Sequence, residues 1–371
     1  MQFIDLAAQQ TIIREKIEAR IKAVLSHGRY IMGPEVNELE KKLAEYVGVK
    51  NCISCASGTD ALLVPLMAND IGPGDAVITT TFTYIATAEV IGLLGATPIF
   101  CDISPETYNI DPHKLEDAYD FALSKNLSPK VVIPVDLFGL PANYKLIEDF
   151  ACKHNLLVLE DFAQGFGGSI RGKKAGSFGF VAATSFFPAK PLGCYGDGGA
   201  IFTNDNGLAD TMRSIRTHGA GKNKYDNIRI GINGRLDTIQ AAILLEKLAI
   251  FDDELEKRNI AAAYYSKNLN SAFKIPSIPK GYISSWAQYS ILALTQEDRD
   301  SMLSKLAEHS IPAMIYYSIP LHLQKVFQNL NYKKGDFPFS EDISKRIFSI
   351  PMHPYISKDM QDKILSILIK D

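Results

Sequence analysis

Residues 131–163 read VVIPVDLFGLPANYKLIEDFACKHNLLVLEDFA, and they contain one complete strand–helix–strand unit. The runs VVIPVDLFG (131–139) and LLVLEDFA (156–163) are almost continuously apolar, as strands buried on both faces are. Between them, residues 144–154 alternate polar and apolar side chains at helical spacing. Two buried strands joined through a helix run parallel, so the unit predicts a mostly parallel sheet covered by helices.

The alternation continues in both directions. Residues 10–48 are helical in pattern, with breaks at Gly28 and at Gly33-Pro34. NCISCAS (51–57) predicts a short strand that runs into a helix opening at Gly58 and Thr59. AVITT (76–80), a helix near 85–94, TPIFCDI (97–103) and a helix near 112–125 follow. Downstream, ATSFF (183–187) and GGAIFT (198–203) predict two further strands. A long helical stretch from about residue 235 leads into SSWAQYSILAL (284–294), a helix at 297–308, IPAMIYY (311–317) and a final helix near 358–369. The expected fold class is α/β, with a large mostly parallel-sheet domain at 1–250 and a smaller C-terminal α/β domain at 251–371.

Composition bounds the function. A chain of 371 residues is long for one core, which suits two domains. The formal net charge of −3, with no basic block, argues against a nucleic-acid partner. No apolar run approaches the roughly 18 residues of a membrane span. MQFIDLAAQQ lacks the basic and apolar regions of a signal peptide, so a cytoplasmic protein is expected. The five cysteines (52, 55, 101, 152, 194) lie mostly in apolar runs without partners at metal spacing. They read as free, buried thiols, and no metal site is expected.

In parallel sheets ligands gather beyond the carboxyl ends of the strands, and three unusual features lie there. The first is ASGTDAL (56–62), where Gly58 permits close backbone approach and a helix N-terminus offers N–H groups to an anion. A plain helix cap is the alternative. The second is LLVLEDFAQGFGG (156–168), which ends a buried strand in Glu160 and Asp161, followed by Gln164. Neighbouring strand residues face opposite sides, so one carboxylate at most faces the crevice, and a structural ion pair is the alternative. The third is TSFFPAKPLGCYGDGGA (184–200), which holds Lys190 between Pro188 and Pro191, five residues after Ser185. That density of breakers excludes regular structure, and the aromatic flanks can desolvate an amine; a solvated surface lysine is the alternative. Taken together, an anion cradle, a strand-end acid and a constrained lysine are the protein groups that pyridoxal 5′-phosphate requires.

Together with TFTYIATAEVI, TYNIDP, PVDLFG and GINGRLDTIQAA, these stretches make the chain resemble, over nearly its whole length, the DegT-type aminotransferases of nucleotide-linked keto-sugars. The resemblance implies the aspartate-aminotransferase-like fold (fold type I) and pyridoxal phosphate as cofactor. It implies Lys190 as the Schiff-base lysine and Asp161 as partner of the ring nitrogen. Gln164 would bond the ring hydroxyl and Tyr84 would lie on the ring face. Gly58, Thr59 and Ser185 would hold the phosphate, and Asn233 would reach it from a neighbouring subunit, which implies a homodimer with shared sites. A related branch carries histidine in place of the lysine and dehydrates sugars; this chain keeps lysine. The implied reaction moves an amino group from glutamate, released as 2-oxoglutarate, to the sugar ketone.

Among family members the chain looks most like those aminating C3 of UDP-2-acetamido-2-deoxy-3-keto-glucuronic acid, for lipopolysaccharide or O-antigen biosynthesis. Arg235 would meet the uronate carboxylate, its alternative being an ion pair with Asp237. Tyr316, Tyr317 and His322 of MIYYSIPLH would lie near the sugar. The chain departs from the family pattern at Phe162, where alanine is usual, and at Tyr316, where the uronate enzymes carry histidine. A C4 aminotransferase of UDP-4-keto-6-deoxy sugars and a non-catalytic regulatory relative are the two other readings.

Overall fold

The computed structural model describes residues 1–223, 225–269 and 273–369. A seven-stranded sheet is built from β1 (Asn51–Cys55), β2 (Asp75–Thr80), β3 (Thr97–Cys101), β4 (Ser128–Ile133) and β5 (Leu157–Asp161). After the two-residue strands β6 (Ser169–Ile170) and β7 (Lys173–Lys174), it is completed by β8 (Val181–Ser185) and β9 (Gly199–Thr203). The order is β1-β9-β8-β5-β4-β2-β3, and β9 alone of the seven runs against its neighbours.

The helices around this sheet are α1 (Leu6–His27), α2 (Pro34–Val47), α3 (Gly58–Ala68), α4 (Ala86–Leu93), α5 (Leu115–Ser124), α6 (Tyr144–His154), α7 (Asn206–Arg216), α8 (Thr238–Leu248) and α9 (Phe251–Asn268), with α1 packed outside, against α8. Their division between faces follows the strand alternation. In β8, Val181 and Ala183 join the core with residues of α3, α4 and α7, whereas Ala182 joins the core with α2 and α8. α5 and α6 cover the remainder of that second face, over Ile78, Val132 and Val158. Each such fully buried aliphatic contributes about 1.5–3 kcal/mol of apolar transfer, which is why the strands read as continuous apolar runs.

Beyond α9 the chain forms β10 (Phe273–Lys274), β11 (Tyr282–Ile283), β12 (Tyr289–Ala293), α10 (Gln296–Glu308), α11 (Pro338–Arg346), β13 (Ile347–Ile350) and α12 (Lys358–Leu368). β10, β12 and β13 make an antiparallel sheet whose core is shared with α9, α10 and α12. β11 instead pairs with β6, which binds this part of the chain to the segment following β5. Among the described residues no helix is long and apolar enough to cross a membrane.

The structure departs from sequence expectation at several points. Within the apolar run 131–139 the strand β4 ends at Ile133, where Pro134 has no N–H to give the ladder; Val135 still bridges Asp161 of β5, and Phe138 takes φ +57° in the turn that follows. IPAMIYY, which the sequence assigns to no element, bridges Ser349 through Met314, and the chain then turns across the mouth of the main sheet. The region near 112–125 divides into a 3-10 turn (Pro112–Lys114) and α5. Cys152 is exposed on α6, while the other four cysteines are buried as expected; all five are free.

Candidate active site

The carboxyl ends of β1, β5 and β8 meet the start of β9 on one edge of the sheet. Gly199 stands opposite both Cys55 and Ser185 in register, so β9 draws the ends of β1 and β8 together. Gly58, opening α3 just after β1, is pressed against Ser185: a Cβ at Gly58 would lie 2.5 Å from the Ser185 Cβ. Ser57 caps α3 by accepting from Asp60 N at 3.0 Å. That leaves the N–H groups of Gly58 and Thr59 in the first helical turn, which a helix cannot satisfy by itself. The result is a backbone cradle with the Ser185 hydroxyl at its wall, the geometry that suits a phosphate.

The alternation argument for Glu160 and Asp161 holds in space. Glu160 turns away from the crevice and accepts from Gly176 N (2.6 Å) and Phe178 N (2.8 Å). Asp161 is 4% exposed and accepts from Thr87 Oγ1 at 2.8 Å and from Ala163 N at 3.2 Å. Burial raises the Asp161 carboxyl above its ordinary value, and Thr87, Ala163 and the nearby Lys190 pull it back down. Burial likewise lowers the Lys190 amine, and Asp161 opposes that shift. A carboxylate buried this deeply gains most from a cationic N–H donor in the crevice.

Lys190 N donates to Phe187 O at 2.8 Å, and Phe186 fixes the two feet of the loop through Cys194 N (2.8 Å) and Gly198 O (2.7 Å). Tyr84, 57% exposed, stands at the crevice mouth with its ring 6.5 Å from that of Tyr317. Gln164 joins the same group: its Nε2 donates to the Tyr317 hydroxyl at 3.1 Å and its Oε1 accepts from Phe138 N at 2.7 Å. The fold therefore gathers Gly58, Ser185, Asp161, Lys190, Gln164, Tyr84 and Tyr317. These residues fit pyridoxal phosphate on three counts: a cradle that a side chain at Gly58 would fill, a buried acid in want of a cation, and a half-buried amine.

The other expected residues are placed differently. Gly234 O accepts from Ala56 N at 3.0 Å, which holds the Asn233–Arg235 segment beside the cradle. Asn233 is exposed and accepts from the Arg235 guanidinium. Among the described residues no acid pairs with Arg235, Asp237 included, and its Nε is buried without a partner. Tyr316 packs edge-on against Phe3 at 6.3 Å. His322 is buried against Glu341, its Nε2 3.1 Å from the Oε1 and its Nδ1 without a partner. Phe162 lies in the second-face core with Phe166 and Phe202, and Gly176 has no room for a side chain because of it.

Two residues at the site were missed from sequence. Thr87 lies in α4 three residues beyond Tyr84, and its helical spacing was the available signal. Asp136 gave less warning. Fully buried, it accepts from Ala142 N (2.9 Å) and Tyr144 Oη (2.7 Å), and its backbone N–H donates to Asp161 O. Its Oδ2 gains a donor when the adjacent Glu160 carries a proton. Burial pushes the Asp136 carboxyl up to about 7 and raises Glu160 as well. A folded-state value above the unfolded one means stability fully present below about pH 4 and lost as pH climbs towards 7. Asp136→Asn, neutral throughout, should therefore gain on wild type over that interval; the gap between their thermal midpoints, followed against pH, checks it.

Such a sheet, cradle, acid and lysine define a fold type I pyridoxal-phosphate enzyme. The chain belongs to the DegT/DnrJ/EryC1/StrS aminotransferase family, whose profile matches residues 11–369. It is 47% identical to the UDP-2-acetamido-2-deoxy-3-oxo-D-glucuronate aminotransferase of Pseudomonas aeruginosa, over 96% of each chain. A solved DegT DnrJ EryC1 StrS aminotransferase from Brucella abortus superposes with TM-score 0.96 at 52% identity, covering 99% of this chain and 98% of the other. NtdA from Bacillus subtilis, solved with bound cofactor PMP, superposes with TM-score 0.87 at 30% identity, covering 99% of this chain and 82% of that one. The protein is an aminotransferase that uses pyridoxal phosphate.

Proposed function

We propose that the chain transfers the amino group of glutamate to C3 of UDP-2-acetamido-2-deoxy-3-keto-glucuronic acid, supplying an amino sugar for surface polysaccharide. The observation that carries this reading is Arg235, a guanidinium beside the cradle whose partner among the described residues is the neutral Asn233 and not an acid. A planar fork in that state suits a substrate carboxylate. The P. aeruginosa relative, named for the same uronate, supports it.

Bound pyridoxal phosphate would supply an electron sink that makes the proton beside an attached amine removable. The chain's own residues would do the rest. Asp161 would keep the ring nitrogen protonated, with Thr87 orienting its carboxylate. Gly58, Thr59 and Ser185 would hold the phosphate, Gln164 would meet the ring hydroxyl, and Tyr84 would lie over the ring. Lys190 Nζ, its basicity lowered by burial, takes the proton from the α carbon of glutamate and delivers one to the sugar carbon in the second half-reaction. Asn233 completes the phosphate site of a neighbouring copy in a cytoplasmic homodimer, while Tyr316 and Tyr317 flank the sugar; His322, buried against Glu341, does not reach it.

The test uses the purified holoprotein. Excess glutamate should bleach its yellow colour, as a non-catalytic regulator's would not, and the glutamate-treated protein should aminate the 3-keto uronate faster than a UDP-4-keto-6-deoxy sugar. Arg235→Ala should cut kcat/KM on the uronate by about 10- to 100-fold, the worth of a charged hydrogen-bond pair, and far less on a 3-keto sugar lacking the carboxylate. Equal losses on both sugars would remove Arg235 from carboxylate recognition.

A further inference from the structure

We propose that Lys247 is a positioning residue for Lys190, acting through the carbonyl of Gly193. Lys247 lies in the last turn of α8 and is 1% exposed. Its Nζ donates to Gly193 O at 2.6 Å, three residues past Lys190 in the same loop, and sits 4.4 Å from the centroid of the Tyr195 ring. The same helix holds the loop a second time, through Gln240 Oε1, which accepts from Tyr195 N at 2.9 Å. Gly193 is folded hard against the start of the loop: a Cβ there would meet Pro188 O at 2.5 Å and Phe187 O at 2.6 Å. Fixing the Gly193 carbonyl therefore fixes Phe187 and Pro188, and with them the backbone of Lys190, whose N–H is bonded to Phe187 O.

A lysine is a costly choice at a buried position, where a methionine of similar reach would pack without losing hydration. Among the described residues its charge is matched by Glu254, whose carboxylate already accepts from Gln9 Nε2 and the Tyr355 hydroxyl, and which also faces the buried Arg258. The cavity between these groups is bounded by Pro188, Lys190, Pro191 and Gly193. Among the described residues, the hydrogen bond Lys247 makes is to the catalytic loop, and that is what its burial accomplishes.

The proposal rests on Lys190 being the lysine that carries the cofactor, so Lys190→Ala is run alongside as the control for that reading. Lys247→Met, made in the full chain, should keep its cofactor and its melting temperature to within a few degrees, yet lose kcat by about 10- to 100-fold, the scale expected for a misplacement near 1 Å. The KM values for glutamate and keto-sugar should stay within about twofold, because the binding groups are elsewhere. Two readouts do not depend on turnover. In the cofactor-free protein, hydrogen exchange in the 186–199 segment should accelerate without change in β5 or α3. In the loaded protein, the pH at which visible absorbance titrates should move. Lys247→Arg, which can still donate to Gly193 O, should recover most of the loss. Wild-type kcat and titration in Lys247→Met would overturn the proposal, and so would a loss of kcat that merely follows lost cofactor or melting. If Lys247→Met does not fold, Gln240→Leu takes its place under the same criteria. A borohydride-reducible link persisting in Lys190→Ala removes the Lys190 reading instead, and the exchange result in cofactor-free protein still judges Lys247.

Discussion

Lys190→Ala should abolish transamination, with kcat reduced by about 10⁴-fold or more, since one residue is both covalent attachment point and proton carrier. The fold should survive. The hydrogen bonds that hold the loop run through Phe186, Phe187, Cys194 and Gly198 and through Lys247 and Gln240 of α8, and none of these uses the Lys190 side chain. Removing an amine whose basicity burial has already lowered should leave the thermal midpoint within a few degrees or raise it slightly. Cofactor should still bind non-covalently, at the cradle and Asp161, but borohydride should no longer fix it to the chain. A reducible covalent link persisting in Lys190→Ala would assign the attachment to another lysine.

Asp161→Asn should cost about 10²- to 10³-fold in kcat/KM and weaken cofactor binding, because it withdraws the charge from a buried pair while leaving the shape intact. Its effect on the cofactor-free protein should be opposite in sign. Asp161 is buried and its carboxyl is raised, so wild type holds an unfavourable charge there in the absence of a partner. The asparagine protein, stripped of cofactor, should melt at the same temperature or higher at neutral pH. Cofactor titration and calorimetry on the two stripped proteins separate the effects. A melt well below wild type would mean that Asp161 mainly supports the fold.

Much of this was legible in the chain because the decisive features are local. Buried parallel strands announce themselves as apolar runs, and Asp161, Gly58 and Ser185 stand at or just beyond the ends of those runs. The direction of β9 was not legible, since GGAIFT reads alike in either sense and only its register with β1 and β8 sets it. β6, β7 and β11, two residues each, are too short for any periodicity. The strand β13 and the turn at Met314 depend on pairing across the smaller sheet, which no window of sequence contains. Within the site, the misses share one cause: Thr87, Asp136 and Lys247 act on residues 74, 25 and 54 positions away. Such polar contacts are tertiary choices, and composition near each residue carries no trace of them.

The ties of the 186–198 loop have an evolutionary consequence. They include Phe186 to Cys194, Phe186 to Gly198, Lys247 to Gly193 and Gln240 to Tyr195, and none involves the side chain at position 190. The loop is a socket whose shape is independent of its occupant. One codon can exchange the reactive group at 190 while every neighbour keeps its place, so new chemistry can be tried on this scaffold without first rebuilding it.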